Sequence, residues 1–166
     1  LLRLMPTRTL DDVALANQRV LVRVDFNVPL ENGRVSDDTR IRAALPTIKK
    51  IVEDEGTAIL MSHLGRPGGE KDPSLSLEPV AEYLGSLVDT PVRFVGETVG
   101  PVTEAAVTEA GPGEILVLEN TRFDPGEKSN DADFSEKLAR LADVYVNDAF
   151  GTAHRGHGRT DGVAKH

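Results

Sequence analysis

Five short aliphatic runs alternate with amphipathic stretches along this chain, and that alternation constrains the fold more than any other feature. The runs are Val20–Val24, Thr57–Met61, Val92–Val95, Ile115–Leu118 and Val144–Val146. Each is of strand length and nearly continuous in apolar residues, as expected for a sheet covered on both faces. Between the first two runs, Ile41, Leu45, Ile48 and Val52 recur on one helical face. Ser36-Asp37-Asp38-Thr39 offers N-cap oxygens just before that helix, and Gly56 follows its end. A second helix is predicted from Ser76, carrying Leu77, Val80, Leu84 and Leu87. A third is predicted over Val99–Ala110, stopped by Gly111-Pro112-Gly113. A fourth begins near Asn130 and carries Phe134, Leu138 and Leu141. Strand–helix alternation of this kind implies right-handed βαβ crossovers. The predicted fold is therefore α/β: a doubly wound, mostly parallel sheet in three layers, α/β/α. Residues 1–166 read as a single domain. Gly156–His166 shows no completed element, and the chain stops as though cut.

Composition narrows the function. The chain has 166 residues and no cysteine, which excludes a disulfide framework, a zinc–thiolate site and thiol chemistry. No apolar run approaches the ~20 residues of a membrane span, and Leu1–Pro6 is too short for a secretory core. A net charge of −8 and 4% aromatics, with a pI near 5.0, make the chain a poor nucleic-acid binder. Yet 13 of its 19 basic residues are Arg, the side chain suited to bidentate binding of carboxylate and phosphate.

The positions of those arginines carry the functional reading. Open α/β sheets bind ligands beyond the carboxyl ends of their strands. Four such ends carry similar residue types. The first reads Arg23-Val24-Asp25-Phe26-Asn27-Val28-Pro29, and the second Ser62-His63-Leu64-Gly65-Arg66-Pro67-Gly68-Gly69. The fourth reads Glu119-Asn120-Thr121-Arg122-Phe123. The fifth reads Asn147-Asp148-Ala149-Phe150-Gly151-Thr152-Ala153-His154-Arg155. Arg40 opens the first helix, where backbone N–H groups also favour an anion. Arg23, Arg40, Arg66, Arg122, Arg155, His63 and His154 would then converge on one edge of an acidic molecule. Such a cluster calls for a strongly anionic ligand, and a small phosphorylated acid fits it. Each residue alone also has a purely structural reading. Arg23 could pair with Asp25, Asp25 and Asn27 could shape the turn before Pro29, and Arg122 could bond Glu119. Arg40 could pair with Asp37 or Asp38.

Other motifs carry less. No G-x-G-x-x-G follows the first strand. Gly126-Glu127-Lys128-Ser129 resembles the end of a P-loop, but Thr121 stands where the leading glycine is needed. His154 and His157 have a spacing that metal pairs use, but Arg155 and Arg159 beside them disfavour a cation, so no metal site is expected.

The strand-end blocks, with Thr39-Arg40-Ile41-Arg42-Ala43-Ala44-Leu45-Pro46, closely resemble the phosphoglycerate kinase family. The resemblance runs from about Leu10 to Arg155 and matches only the family's N-terminal, phosphoglycerate-binding domain. It implies that domain's fold and a phosphotransferase that moves a phosphoryl group between 1,3-bisphosphoglycerate and ADP in glycolysis. Carried over by motif, Asp25 and Asn27 contact the glycerate part. His63, Arg66, Arg122 and Arg155 hold the phosphate that is not transferred. Arg40 stabilises the transferring group, and Arg23 and His154 complete the basic cluster. The run Gly156–Gly162 departs from the family pattern, so His157 and Arg159 receive no role.

The resemblance further implies a cytoplasmic monomer that pairs with a C-terminal nucleotide-binding domain. Mg-ADP or Mg-ATP is expected on that domain, with no cofactor on this chain and no nucleic-acid or membrane partner. This chain alone is expected to be inactive as a kinase. The competing expectation is a non-catalytic module binding a phosphorylated acid or a protein partner.

Overall fold

A computed structural model of the chain describes residues 14–125, 132–148 and 164–165. In chain order the strands are β1 (Arg19–Arg23), β2 (Leu30–Glu31), β3 (Arg34–Val35), β4 (Thr57–Met61), β5 (Val92–Val95), β6 (Ile115–Leu118), β7 (Val144–Asn147) and β8 (Ala164–Lys165). The helices are α1 (Thr39–Glu53), α2 (Glu78–Leu87), α3 (Pro101–Glu109) and α4 (Ala132–Ala139). The main sheet has the order β5-β6-β4-β1-β7-β8. Its first five strands run parallel, as the α/β reading requires. Because they are parallel, the ends of β1, β4, β6 and β7 lie on one edge.

Alternation along each strand divides the core into two layers. Val20, Val22, Ala58, Leu60, Ile115 and Val117 join the larger layer, with Ile41, Ala44, Ile48 and Ile51 of α1 and Val80, Ala81 and Leu84 of α2. Leu21, Ile59, Met61, Leu116 and Leu118 point the other way, onto Ala106 and Val107 of α3 and onto Leu141 just after α4. All five residues of β4 are buried, as suits an unbroken apolar run in a sheet covered on both faces.

Several boundaries shift for identifiable reasons. The α1 stripe closes with Ile51 rather than Val52, which is only half-buried. Helix α2 starts two residues after Ser76. The Ser76 hydroxyl accepts from Glu78 N–H at 3.2 Å, so Ser76 caps the helix from outside. Helix α3 begins at Pro101, where the Glu97 carboxylate accepts from the Val102 and Thr103 amides. The predicted start of the fourth helix at Asn130 lies outside the described residues.

Two elements go beyond the sequence-based expectations. The β2–β3 hairpin turns on Asn32-Gly33, both with positive φ (52° and 74°), as a two-residue hairpin loop of this hand requires. Strand β8 lies in the tail that shows no completed element in the sequence, and it pairs antiparallel with β7 through Val144 and Tyr145. A two-residue strand carries no periodicity of its own, so only its distant partner reveals it. No helix among the described residues is long and apolar enough to cross a membrane.

Candidate functional site

The chain leaves β1 while still bonded to its neighbour, with Val24 N–H donating to the Met61 carbonyl. It then turns on Asp25, whose Oδ1 accepts from Asn27 N–H at 3.2 Å, a local bond that competes with strand continuation. Arg40, in the first turn of α1, reaches back to this turn. Its Nη1 donates to the Asn27 carbonyl at 2.7 Å and to Asp25 Oδ1 at 3.3 Å. Asp25 therefore pairs with Arg40 rather than with Arg23. Arg40 in turn does not pair with the acids beside it. Asp37 accepts from the Thr39 hydroxyl and amide. Asp38 accepts from the Tyr83 hydroxyl and Arg42 Nε, both at 2.6 Å. Those bonds, from Tyr83 first and then Arg42, hold the Asp38 carboxyl below its ordinary pKa. Asp38 thus sits at the N-cap position without capping, because Tyr83 from α2 and Arg42 from α1 itself occupy its side chain. The Arg40–Asp25 pair is half exposed, and pairs of that kind contribute about 0–1 kcal/mol. An incoming anion can compete for Arg40.

Arg23 is exposed at the end of β1 and lies beside Tyr145 of β7. Burial raises the Tyr145 hydroxyl pKa, and the Arg23 charge opposes that rise.

The loops after β4 and β6 meet around one side chain. Asn120, fully buried, accepts at Oδ1 from Leu64 N–H at 3.2 Å and from Arg122 N–H at 3.0 Å. Its Nδ2 donates to the carbonyls of Leu64 at 2.7 Å and Leu75 at 2.9 Å. Around this hub Thr121 N–H donates to the Ser62 carbonyl and Gly69 N–H to the Arg122 carbonyl. Arg122 Nη1 donates to the Gly65 carbonyl at 2.9 Å, while the Glu119 carboxylate accepts from Ser76, Leu77 and Asn120. Gly65 N–H donates to Asn27 Oδ1 at 3.0 Å, tying this cluster to the β1 turn. Gly65 has φ +63°, and an added Cβ would stand 2.8 Å from Leu75 Cδ2. Arg66, next in the chain, is exposed and pairs with no described residue. His63 is half-buried at the start of the same loop.

At the end of β7, Asp148 N–H donates to the Arg23 carbonyl at 2.7 Å. Burial pushes the Asp148 carboxyl up to about 6, against a hydrogen bond from Thr47 that pulls it down. Its Oδ2 has no hydrogen-bond partner among the described residues. His154 and Arg155 lie outside the described residues. The structure thus brings Arg23, Asp25, Asn27, Arg40, His63, Arg66 and Arg122 to one edge of the sheet. Among the described residues no group of three or more His, Cys, Asp or Glu side chains could hold a metal ion.

This edge can be set beside known proteins. The family model described as phosphoglycerate kinase matches residues 10–166. The chain belongs to the phosphoglycerate kinase family. Phosphoglycerate kinase of Salinibacter ruber is 58% identical over 162 residues, covering 95% of this chain and 41% of its own length. That of Moorella thermoacetica is 59% identical over 160 residues, covering 96% and 41%. Among solved structures, phosphoglycerate kinase from Pyrococcus horikoshii matches with a TM-score of 0.76 at 32% identity, covering 88% of this chain and 37% of that one. The enzyme from Coxiella burnetii matches with a TM-score of 0.75 at 35% identity, covering 89% and 36%. The chain therefore spans about two fifths of the length of the phosphoglycerate kinases it matches.

Two residues of the edge, Glu119 and Asn120, take roles that the sequence pattern does not single out. Glu119 is buried, and its carboxylate accepts from Leu77 N–H at 2.9 Å and the Ser76 hydroxyl at 2.8 Å, seating the start of α2. The available signal is two adjacent polar residues directly after a fully apolar strand. Buried polar groups in that position need partners, and here they find them on three other segments.

Proposed function

We propose that this chain binds 3-phosphoglycerate and 1,3-bisphosphoglycerate at the carboxyl edge of its sheet, as the substrate-binding part of a phosphoglycerate kinase. The single observation that carries the reading is the gathering of Arg23, Arg40, His63, Arg66 and Arg122 on one edge of a chain whose net charge is −8. The tethers of the Arg122 guanidinium to Gly65 and of Arg40 to Asn27 preorganise two of those cations.

In this reading His63, Arg66 and Arg122, with Arg155, hold the phosphate that stays on the glycerate. Asp25 and Asn27 meet its hydroxyl and carboxyl groups. Arg40 stabilises the group that transfers, and Arg23 and His154 raise the positive potential around both. The acceptor carboxylate of 3-phosphoglycerate is already ionised at neutral pH, so the reaction needs no general base. Catalysis then rests on positioning and charge stabilisation. ADP or ATP with its magnesium belongs to a region outside this chain, which carries no phosphate-cradling glycine motif of its own. The whole enzyme acts in the cytoplasm as a monomer.

Calorimetry of the chain with 3-phosphoglycerate, and a kinase assay with and without a separately supplied nucleotide-binding region, test the proposal. Binding that weakens as salt rises, with turnover only in the complemented sample, is expected. No binding by the chain overturns the substrate reading. Turnover of 1,3-bisphosphoglycerate with Mg-ADP by the chain alone overturns the division of labour.

A further inference from the structure

Asn120 has one acceptor oxygen with two lone pairs and one NH₂ with two hydrogens, and all four capacities are used. The recipients are both main-chain polar groups of Leu64, the Leu75 carbonyl and the Arg122 amide. Leu64 stands between His63 and Gly65-Arg66, and Arg122 is two residues beyond Asn120. One fully buried side chain therefore sets the spacing between the main chain that carries His63 and Arg66 and the main chain that carries Arg122. The Thr121 N–H bond to the Ser62 carbonyl joins the two segments where they leave the strands, and Asn120 carries the register into the loops beyond it. The Arg122 Nη1 bond to the Gly65 carbonyl and the Gly69 N–H bond to the Arg122 carbonyl each need the two loops already in register. An aliphatic side chain could fill the space but would leave four polar groups without partners, two of them buried and two half-buried, so the loops would separate to hydrate them.

We infer that Asn120 is a positioning residue of the anion site. It touches no ligand itself, and it fixes the distance between the His63–Arg66 loop and Arg122 so that both reach one phosphate. The inference rests on the substrate reading proposed above. It differs from a purely structural role in one measurable way: Asn120 and Arg122 must be coupled in ligand binding.

The test is a double-mutant cycle on the whole chain, using Asn120→Ala and Arg122→Ala, with 3-phosphoglycerate affinity measured by calorimetry on folded protein. Residues that act through each other are strongly non-additive. Arg122→Ala alone and Asn120→Ala alone should each weaken binding about tenfold or more, and the double variant should be within about threefold of either single. If Asn120→Ala does not fold, Asn120→Asp takes its place, because it keeps the shape and an acceptor oxygen while losing both donors. Multiplicative losses in the cycle, or unchanged affinity of the folded Asn120 variant, overturn the positioning role and leave the substrate reading standing. No binding of 3-phosphoglycerate by the unmutated chain overturns both.

Discussion

The two edges of the sheet differ in how much side chains add to their main-chain bonds. At the amino edge the loops are joined mainly through main-chain groups. Thr57 N–H donates to the Gln18 carbonyl, Ala58 N–H to Glu114, Gly113 N–H to Gly56 and Asp143 N–H to Arg19. Side chains add less there: the Thr57 hydroxyl reaches the Gly111 carbonyl at 2.8 Å, and Asp143 Oδ2 accepts from Arg19 N–H at 3.0 Å and pairs with the half-exposed Arg19 guanidinium at 3.6 Å. At the carboxyl edge main-chain bonds also join the segments, such as Val24 N–H to Met61 and Thr121 N–H to Ser62, and buried or half-buried side chains add a second set of connections. Asn120, Glu119, Asn27 and the Ser62 hydroxyl, which accepts from Phe26 N–H at 2.9 Å, each join segments distant in sequence. Main-chain bonds do not depend on side-chain identity, so apart from Gly56 and Gly113 the amino edge is the more open to substitution. Side-chain bonds require one residue type, and they hold cations near one another against their repulsion. The edge carrying the candidate site is thus the edge that depends more on particular residue types.

The two edges should differ most sharply in stability. Asn120→Ala should cost about 3 kcal/mol or more, because several buried or half-buried polar groups lose their partners. Thr57→Val, which removes one hydroxyl at the other edge, should cost about 1 kcal/mol. Chemical denaturation of both variants measures the gap, and equal losses would dissolve the distinction between the edges.

Ligand binding sharpens the contrast next. Arg66→Ala or Arg122→Ala should weaken 3-phosphoglycerate by about 1.5–3 kcal/mol, the range for hydrogen bonds to charged groups. Arg19→Ala, at the amino edge, should change it by less than about 0.5 kcal/mol. Calorimetry showing no loss for Arg66 and Arg122 would count against the site.

Within the carboxyl edge, Arg40 should separate from the other arginines. In the complemented enzyme Arg40→Ala should lower kcat far more than it raises KM, because charge on the transferring group grows in the transition state. Its stability cost should stay below about 1 kcal/mol, since the Asp25 pair it loses is half exposed. A large drop in melting temperature with unchanged kcat would make Arg40 a structural residue.

The smallest effect is a pH dependence. In the folded chain the Asp148 carboxyl holds its proton up to about 6, against 3.8 for the ordinary group. Between those values the folded state binds the proton more tightly, so stability falls as pH rises through that window. Below it the difference vanishes, and above it the full cost of a buried charge remains. Asp148→Asn should therefore melt higher than the unmutated chain at about pH 8, with the advantage fading by about pH 4. An advantage that is constant across pH would show that burial of the charge is not its source.

Much of this edge is legible in the amino-acid sequence. The apolar runs locate β1 and β4–β7 to within a residue; the mark is unbroken in β4 and β6, buried on both faces, and weaker in β5, which carries exposed Arg93. The strand-end blocks show where cations collect, because parallel strands deliver all their carboxyl ends to one side. Pairing is not legible. Asp25 has Arg23 two residues away and takes Arg40 fifteen residues away. Arg122 has Glu119 three residues away and takes the carbonyl of Gly65. The nearest opposite charge in sequence need not be the partner once a chain turns out of a strand. The Asn32-Gly33 hairpin is encoded locally, in a two-residue signal easily lost between longer elements, whereas β8 is found only from its partner β7.

By itself, then, the sequence determined the layer order, the strands, the amphipathic helices and the edge on which the arginines would meet. These follow from local periodicity and from the handedness of βαβ crossovers. Only the tertiary structure decided which cation is held by which acceptor, and that Asn120 and Glu119 do the holding. A hydrogen bond depends on distance and angle between groups that the chain brings together from far apart, and no periodicity within either segment records that meeting.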